Sequence, residues 1–299
     1  MSADQVRAAV IGDAAAALSA LARLGWAIVP ARSAELVVIA ADEVRAHAGD
    51  PLAALQPAPG ASPSPLVVVA QSRPEEVAPW LGAGADEVLV EGATEDEVAA
   101  RLAALVRRAR AERDRSPLTG LPGNARLEQV VRGRLGAGEA PALLLADLDG
   151  FKAFNDRYGH WRGDRVIEML AGIMVGAAAA DPDALVAHIG GDDFCVVTRP
   201  ELVNGMGEEA IARFDEVAPA HYDEADRRRG YITTFSRTGR RRQFPLMTLT
   251  LVAATAEAED IEHIGQLFQV LAELKAYAKT LPGSNYFRDR RRDHGWGKQ

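Results

Sequence analysis

The sequence of 299 residues contains a single cysteine, Cys195, which excludes an internal disulfide and any metal cluster built on several thiolates. Basic residues are also scarce relative to acidic ones, since 34 Lys and Arg stand against 42 Asp and Glu and give a formal net charge of −8. A general nucleic-acid coat needs surplus base to neutralise phosphates, so this balance argues against nucleic acid as a partner.

Long apolar runs are missing as well. The longest stretch without charge, residues 51–72, contains five prolines and is unsuited to a membrane helix. The apolar segment 169–180 is only 12 residues long, whereas a spanning helix needs about 20. Asp4, Arg7 and Asp13 interrupt the N-terminal stretch, so no signal peptide is indicated. We therefore expect a soluble cytoplasmic protein without a membrane partner.

The length predicts two domains, and the first is expected at residues 1–110. Its apolar runs at 35–41 and 66–70 are continuous, as in strands covered on both faces, and they alternate with segments of helical spacing. This alternation predicts a parallel α/β sheet. The Pro-rich segment 56–65 is expected to be a surface loop.

A single helix is predicted for residues 94–115, with acids at its start and bases towards its end, as suits the helix dipole. Val98, Leu102, Leu105 and Val106 form its apolar stripe. Two interpretations remain open. The helix packs on its own sheet as the last element of the first domain, or its C-terminal part continues as a linker that pairs with a second copy.

The segment GADEVLVEGATEDEVAARL (84–102) resembles the end of a response-regulator receiver domain, which has a flavodoxin-like α/β fold. The resemblance is to a degenerate member, because the Lys-Pro pair that normally ends the last strand is absent. The phosphoacceptor position falls on Ala40 or Ala41, and the position of the hydroxyl that should end the fourth strand falls on Ala70.

No phosphoacceptor is therefore expected in the first domain. Of the usual pair of acids, only Asp13 remains. The alternative is that Asp42 serves as a phosphoacceptor at a displaced position. We expect a pseudo-receiver that acts in docking or dimerisation and that offers one possible surface to a protein partner.

The second half of the chain carries two carboxylate-bearing segments. The apolar strand ALLLA (142–146) leads directly to Asp147, and the runs 184–189 and 194–198 flank a Gly-Gly turn followed by Asp192, as in a hairpin. If the hairpin lies beside the first strand, the two aspartates meet at one edge of the sheet. Carboxylates suit Mg²⁺, which prefers one or two of them together with substrate phosphates, so a nucleoside triphosphate is the natural partner.

These residues resemble the GGDEF family of diguanylate cyclases, whose fold is an α+β palm centred on an antiparallel sheet. The resemblance covers roughly residues 116–288, within a second domain expected at 116–299. GGDDF alone would be a weak indication, but the order and spacing of all the segments are specific. The matching segments are SPLTGLPGN (116–124), DLDGFKAFNDRYGHWRGD (147–164), GGDDF (190–194) and AK (278–279).

The resemblance implies a catalytic metal site. Asp147, Asp192 and the backbone carbonyl of Leu148 would bind Mg²⁺ or Mn²⁺, and Asp147, Asp192 and Asp193 would be the catalytic acids. The neighbouring Asp149 is expected only to cap a turn. The family reaction joins two GTP molecules into c-di-GMP and releases pyrophosphate, and because each protomer holds one GTP, a homodimer is required.

The resemblance also implies a GTP site. Asn155 and Asp164 would read the guanine edge, since an amide and a carboxylate can pair with its carbonyl and its N–H donors. Lys152 and Lys279 would hold the β and γ phosphates as point charges.

The sequence departs from the family pattern in several places. Ser116 replaces the Asp before Pro-Leu-Thr-Gly-Leu, Asp193 replaces a Glu, and the phosphate-holding Arg that should follow Lys279 is missing. The product-inhibition motif should fall at 181–184, where the sequence reads DPDA, so this site is expected to be absent.

An insertion is predicted at about residues 201–244. It contains a predicted basic hairpin with Gly239 at its tip and Arg240 to Arg242 in its second arm. One interpretation is a solvated hairpin with salt-bridged arms. The other is that one of these arginines replaces the missing phosphate clamp or grips a protein partner.

Two functions follow from this pattern. The first is a GTP-binding signalling protein that retains diguanylate cyclase activity, supported by the metal acids, the guanine readers and the phosphate lysines. The alternative is a catalytically silent GGDEF regulator that binds nucleotide or a protein partner, supported by the degenerate receiver and the missing Arg.

Overall fold

The structure is a computed structural model, which describes residues 5–46, 66–235, 241–255 and 264–289. The predicted loop at 56–65 and the predicted hairpin tip at Gly239 lie outside these ranges. The chain divides into two compact units, residues 1–112 and 113–299, which are described separately. Among the described residues, every helix is too short or too polar to cross a bilayer.

The first unit is an α/β domain whose described strands are β1 (Arg7–Ile11), β2 (Ala27–Ile28), β3 (Leu36–Ala40), β4 (Leu66–Ser72) and β5 (Glu87–Val90). They pair in parallel in the order β2-β1-β3-β4-β5, which is the flavodoxin-like doubly wound order. The described helices are α1 (Ala15–Arg23), α2 (Ala41–Ala46), α3 (Val77–Gly82) and α4 (Glu95–Arg113). The predicted parallel α/β sheet is confirmed, whereas its assignment as a receiver stays a prediction.

The central strand β3 is buried along its whole length because helices cover both faces of the sheet. Leu36 and Val38 lie in a core with residues of α1 and α4, and Val37 and Ile39 lie in a second core with Val44 of α2. The alternation follows from the two-residue period of a strand, which sends neighbouring side chains to opposite faces.

Helix α4 shows where the apolar stripe packs, while the pairing of its C-terminal part with a second copy stays a prediction. Its four residues, Val98, Leu102, Leu105 and Val106, are buried in the core of the first unit. This stripe therefore packs on its own sheet and is not exposed for pairing with a second copy. The helix ends at Arg113 rather than at the predicted Arg115.

Strand β4 differs from the prediction. It continues past Ala70 to Ser72 through an irregularity at Gln71, which has a φ of 58°. The strand thus ends in a hydroxyl after all, and the Ser72 hydroxyl is fully buried without a hydrogen-bond partner among the described residues. The apolar run that predicted this strand ends at Ala70, so the sequence did not reveal the bulge that extends the strand by two residues.

The second unit contains the strands β6 (Ala142–Asp149), β7 (Leu185–Gly190), β8 (Asp193–Thr198), β9 (Tyr231–Phe235), β10 (Arg241–Pro245), β11 (Thr248–Thr255) and β12 (Asn285–Arg288). Its main sheet has the order β12-β11-β6-β8-β7. The central β6 is antiparallel to both of its neighbours, as the palm-like expectation requires. The described helices are α5 (Asn124–Gly136), α6 (Phe151–Tyr158), α7 (His160–Ala178), α8 (Val203–Val217), α9 (Glu224–Arg229) and α10 (Ile264–Ala278).

The insertion is anchored to the second unit rather than freely solvated. Strands β9 and β10 form a separate antiparallel pair, and Ile232 of β9 is buried in the core. Asp226 of α9 is 1% exposed and accepts a hydrogen bond of 2.5 Å from the hydroxyl of Tyr158 on α6. Arg240 lies outside the described residues, and the side chain of Arg242 is exposed.

The start of α5 is held by a carboxylate that sequence reasoning did not identify. Asp114 accepts hydrogen bonds from the backbone N–H groups of Gly123, Ala125 and Arg126 at 3.1, 2.9 and 3.0 Å. These are among the donors that a helix N-terminus leaves unpaired. Gly123 allows the close approach, because a Cβ there would lie 2.3 Å from the Asp114 carbonyl oxygen.

We predict that Asp114→Ala lowers the free energy of unfolding of the second unit by about 1–2 kcal/mol, because a helix cap is lost. Denaturant unfolding followed by circular dichroism measures this change. Asp156→Ala is the matched control, since Asp156 is exposed on α6, and it should change the stability by less than about 0.5 kcal/mol. Equal effects of the two substitutions would contradict the capping role.

Candidate functional site

The site begins where one face of β6 changes from apolar to acidic. Leu143 and Leu145 lie in the core beneath α5 and α10, and Asp147 and Asp149 follow on the same face because strand side chains alternate. The intervening Leu148 is 2% exposed and packs in the core on the opposite face.

Helix α10 makes the matching change from apolar to basic. Leu267 and Leu271 are buried in the same core as the β6 leucines. Lys275 and Lys279 continue this row at intervals of four residues, which places them on one face of the helix. The leucines of helix and strand therefore pack together, and their lysines and aspartates meet one turn further on.

Asp147 is the best-buried acid of the site, with 6% of its surface exposed. One carboxylate oxygen, Oδ2, lies 2.5 Å from the Nζ of Lys275, and the other, Oδ1, contacts the Nζ of Lys279. Two ammonium groups thus compensate a charge that would be costly to bury alone.

The hairpin of β7 and β8 brings two further acids to this edge. Its turn contains Gly191, whose φ of 56° favours glycine, and Asp192 and Asp193 follow directly. The Asp193 Oδ1 accepts a hydrogen bond of 2.6 Å from Lys275. Asp192 is near enough to Asp147 for their like charges to interact.

His188 supports the turn between β7 and β8. His188 stacks on Phe194 with ring centroids 4.4 Å apart, and its Nε2 lies 3.0 Å from the carbonyl oxygen of Gly191. Its Nδ1 lies 2.9 Å from the hydroxyl of Ser116, the residue that departs from the family pattern. Ser116 therefore contributes to the support of the acidic turn.

Asp149 does not cap a turn, contrary to the expectation from the sequence. Its carboxylate accepts hydrogen bonds from the hydroxyls of Thr248 and Thr250 on β11, at 3.1 and 2.6 Å, and lies 3.2 Å from the Nζ of Lys279. It belongs with the other acids of the site. We call this group the acid cluster: Asp147, Asp149, Asp192 and Asp193.

The acid cluster holds more negative charge than the two lysines neutralise. Burial and the charge of Asp147 raise the pKa of Asp192. Burial also raises the pKa of Asp193, although the ammonium of Lys275 opposes the shift. For Lys275, burial disfavours the charge, but hydrogen bonds to Asp147 and Asp193 outweigh it and raise its pKa. Four carboxylates against two ammonium groups leave two negative charges in excess.

A divalent cation fits this group of residues. In the described part of the chain, no set of three or more His, Cys, Asp or Glu side chains is arranged to hold a metal unaided. Mg²⁺, however, prefers one or two carboxylates and takes its other oxygens from water and substrate phosphates. The raised pKa of Asp192 reflects burial first and then the charge of Asp147, and such a cation would compensate both.

The predicted guanine readers form a second group. Asn155 on α6 lies against Gly163 at the start of α7, where a Cβ would be 1.9 Å from the Asn155 Oδ1. That oxygen is buried and has no hydrogen-bond partner among the described residues. Asp164 follows Gly163 and is exposed, as is Lys152.

The structure brings some of the predicted residues together and adds one that was missed. Asp147, Asp192, Asp193 and Lys279 lie in one cluster, whereas Lys152 contacts none of the acids in the described ranges. The missed residue is Lys275. Its spacing from Leu271 and Lys279 could have identified it, because it continues the buried face of α10.

Cys195 and Asp181 have structural environments. Cys195 is fully buried within β8, and burial raises the pKa of its thiol to about 12. Asp181, in the segment where a product site was expected to be absent, is 3% exposed and accepts a hydrogen bond of 2.7 Å from Thr198. Neither side chain is positioned to bind a ligand from solvent.

Comparison with known proteins identifies part of the chain. Residues 111–227 match the family model described as diguanylate cyclase, GGDEF domain, so this stretch is a GGDEF domain. The match confirms the resemblance over those residues, and the receiver-like assignment of residues 1–110 stays a prediction.

Several relatives carry the same domain. An uncharacterized protein in the hutH 5′ region of Streptomyces griseus is 35% identical over 104 residues, which are 32% of this chain and 43% of that protein. Diguanylate cyclase DgcP of Pseudomonas aeruginosa is 38% identical over 102 residues, which are 32% of this chain and 15% of that protein. The aligned part therefore spans less than half of either relative.

Solved structures also align with the chain. The coiled coil and GGDEF domain of DgcB from Caulobacter crescentus, in complex with c-di-GMP, aligns with a TM-score of 0.47 and 19% identity. That alignment covers 64% of this chain and 93% of the other.

We predict that Asp192→Asn stabilises the metal-free protein at neutral pH. The raised pKa of Asp192 means that its carboxylate form is disfavoured in the folded state, so stability is lost as pH rises above the ordinary Asp pKa of about 3.9. We expect a melting temperature higher by about 2 °C at pH 7 and a vanishing difference near pH 3.

Thermal unfolding in the presence of a chelator measures the effect. Asp156→Asn, on the exposed face of α6, is the control and should leave the melting temperature unchanged. A lower melting temperature of Asp192→Asn at pH 7 would contradict the excess of negative charge.

Proposed function

We propose that the second unit binds GTP with a divalent metal ion, and that two copies condense two GTP molecules into c-di-GMP and pyrophosphate. The observation that carries the proposal is the convergence of the acid cluster with two lysines at the end of β6. The GGDEF match over residues 111–227 supports the same function, as does the name of the relative DgcP, a diguanylate cyclase.

The acids provide the proposed metal site. Asp147, Asp192 and the backbone carbonyl of Leu148 would hold Mg²⁺ or Mn²⁺. When bound, the metal would polarise the reacting phosphate and lower the pKa of the attacking hydroxyl. The β8 ladder ends at the pair of Ala146 with Phe194, so β6 extends beyond it towards this site.

Asn155 and Asp164 are the proposed guanine readers. The buried Oδ1 of Asn155 lacks a partner among the described residues, and guanine carries N–H donors that would satisfy it. Lys279 and Lys152 would bind the triphosphate. Lys152 would reach it from the exposed surface of α6.

The proposed reaction is a phosphoryl transfer that needs no redox partner. The 3′-oxygen of one GTP bonds to the α-phosphorus of the other, and the bond from that phosphorus to its bridging oxygen breaks to release pyrophosphate. The hydroxyl proton passes to a carboxylate of the acid cluster, and the raised pKa of Asp193 makes it suited to accept. A second, equivalent transfer closes the ring.

Because each protomer would bind one GTP, the active form is proposed to be a two-fold homodimer in the cytoplasm. The first unit is proposed as a pseudo-receiver that promotes docking or dimerisation. A protein partner would bind either there or at the basic insertion, where Arg242 is exposed.

A second candidate function is favoured by one contact. The Oδ1 of Asp193 is bound by Lys275 at 2.6 Å, and the family's phosphate-holding Arg is missing. A catalytic acid held in this way would leave a domain that binds GTP or a protein partner without turnover. The two functions differ in product formation, and both allow nucleotide binding.

The cyclase proposal predicts that purified full-length protein converts GTP to c-di-GMP with Mg²⁺, and that Asp192→Ala lowers the rate at least about 100-fold because a metal acid is lost. Chromatographic separation of the products measures both. Glu208→Gln, exposed on α8, should keep the rate of the original protein. If a sample shown to be dimeric forms no product, the silent regulator is left, and if it binds no GTP, only a regulator that binds a protein partner remains.

The guanine proposal predicts that Asn155→Ala weakens GTP binding about 5- to 30-fold, as expected for the loss of one or two kcal/mol of hydrogen bonding. The affinity for ATP should stay the same, because its base does not offer the same donors. Competition against a fluorescent guanine nucleotide measures the two affinities. An equal loss for GTP and ATP would indicate a structural role for Asn155 instead.

A further inference from the structure

Lys275 occupies a central position in the acid cluster. Its Nζ lies 2.5 Å from the Asp147 Oδ2 and 2.6 Å from the Asp193 Oδ1, so a single ammonium bridges carboxylates from β6 and from the β7–β8 turn. Its side chain is 22% exposed, compared with 37% for Lys279. The bridge is therefore the more buried of the two lysine contacts.

The residue type at this position is unusual for the chain. Lys152, Lys275, Lys279 and Lys298 are its four lysines among 34 basic residues, so arginine is the general choice for ion pairs. The guanidinium of arginine binds a carboxylate with two parallel hydrogen bonds, whereas an ammonium is a compact, strongly hydrated point charge. At the acid cluster the chain has lysine instead. Of the two basic groups, its ammonium is the one that more closely resembles a small metal ion and that a metal ion can replace.

We propose that Lys275 is an internal counter-ion that competes with the divalent metal for Asp147, which it bridges to Asp193. This inference rests on the proposed function, since it assumes that the metal binds at the acid cluster. The ammonium lies 2.5 Å from the Asp147 Oδ2, an oxygen that the metal would use. The charge of the ammonium and the charge of the metal ion also repel one another. Metal binding then requires Lys275 to leave, while Lys279 keeps its contact with Asp149.

The competition sets the metal affinity of the nucleotide-free protein. Without Lys275, four carboxylates would face one ammonium, and a divalent cation would gain both the vacated space and the uncompensated charge. Lys275 thus acts as a positioning residue that keeps Asp147 and Asp193 together before the metal arrives. Its effect is measurable with the metal alone.

The test is titration of the full-length, nucleotide-free protein with Mn²⁺, followed by electron paramagnetic resonance of the free ion at constant ionic strength. We expect Lys275→Met to bind Mn²⁺ at least about tenfold more tightly than the original protein, since a near cation is removed while the length of the side chain is kept. Lys275→Arg keeps the charge and should bind Mn²⁺ no more tightly than the original protein. Unchanged or weaker binding by Lys275→Met would overturn the proposal, as would the absence of Mn²⁺ binding in every variant.

Arg132→Met is the matched control for the loss of one positive charge. Arg132 lies on α5, is 67% exposed and pairs with Glu128 at 2.5 Å, so its removal should leave the Mn²⁺ affinity unchanged. If this control also tightens Mn²⁺ binding tenfold, the effect is one of net charge and the proposal falls.

Folding is checked by circular dichroism, and Lys275→Gln replaces Lys275→Met if the apolar side chain impairs folding. The same affinity gain is expected from Gln, because it also removes the charge. Failure of the proposed function is a separate result. A protein that binds no GTP would exclude that function, whereas the Mn²⁺ comparison reports on the acid cluster alone.

Discussion

The contact of the Lys275 ammonium with Asp147 and Asp193 is the interaction on which the site depends. It joins three elements that are distant in sequence: the central strand, the β7–β8 turn and helix α10. Without a cation between them, the buried carboxylate of Asp147 and the partly exposed carboxylate of Asp193 would repel one another at the edge of an apolar core. The leucines of β6 and α10 set the register of strand and helix, and this register brings the charged ends of both elements together. The packing that forms this core therefore also positions the residues of the acid cluster.

The acid cluster costs stability, and this cost is informative. The raised pKa of Asp192 and of Asp193 shows that the folded protein disfavours their charged forms. Structural ion pairs have the opposite effect: Glu76 in the first unit binds Arg45, and this hydrogen bond contributes most to lowering its pKa to about 2. A cluster of acids with raised pKa values at a strand end is consequently better explained by a ligand that adds positive charge than by a role in folding.

The sequence was sufficient for those parts of the site that depend on local pattern. The apolar run before Asp147 and the Gly-Gly turn before Asp192 predicted a strand and a hairpin, and both are present. Lys275, Asp149 and Ser72 were missed for different physical reasons. The role of Lys275 depends on which face of α10 meets the sheet, and that of Asp149 on the strand that pairs with β6. Ser72 ends its strand only because of a bulge, which a regular two-residue period does not reveal.

Two departures from the family pattern, the missing Arg and the shorter Asp193, can be explained together. The missing Arg and the shorter Asp193 both look like losses when they are considered one at a time. In the folded chain, however, the shorter acid meets an ammonium that arrives from one turn before Lys279 rather than from the segment after it. The number of positive charges near Lys279 is therefore kept. One of them lies four residues before Lys279, at Lys275, instead of in the segment after it. Under the proposed competition, a base on the acid side of Lys279 would weaken metal binding in the absence of substrate and would leave the metal ligands intact. Under this proposal, the difference between the chain and its relatives is a cation at a new position rather than simple decay.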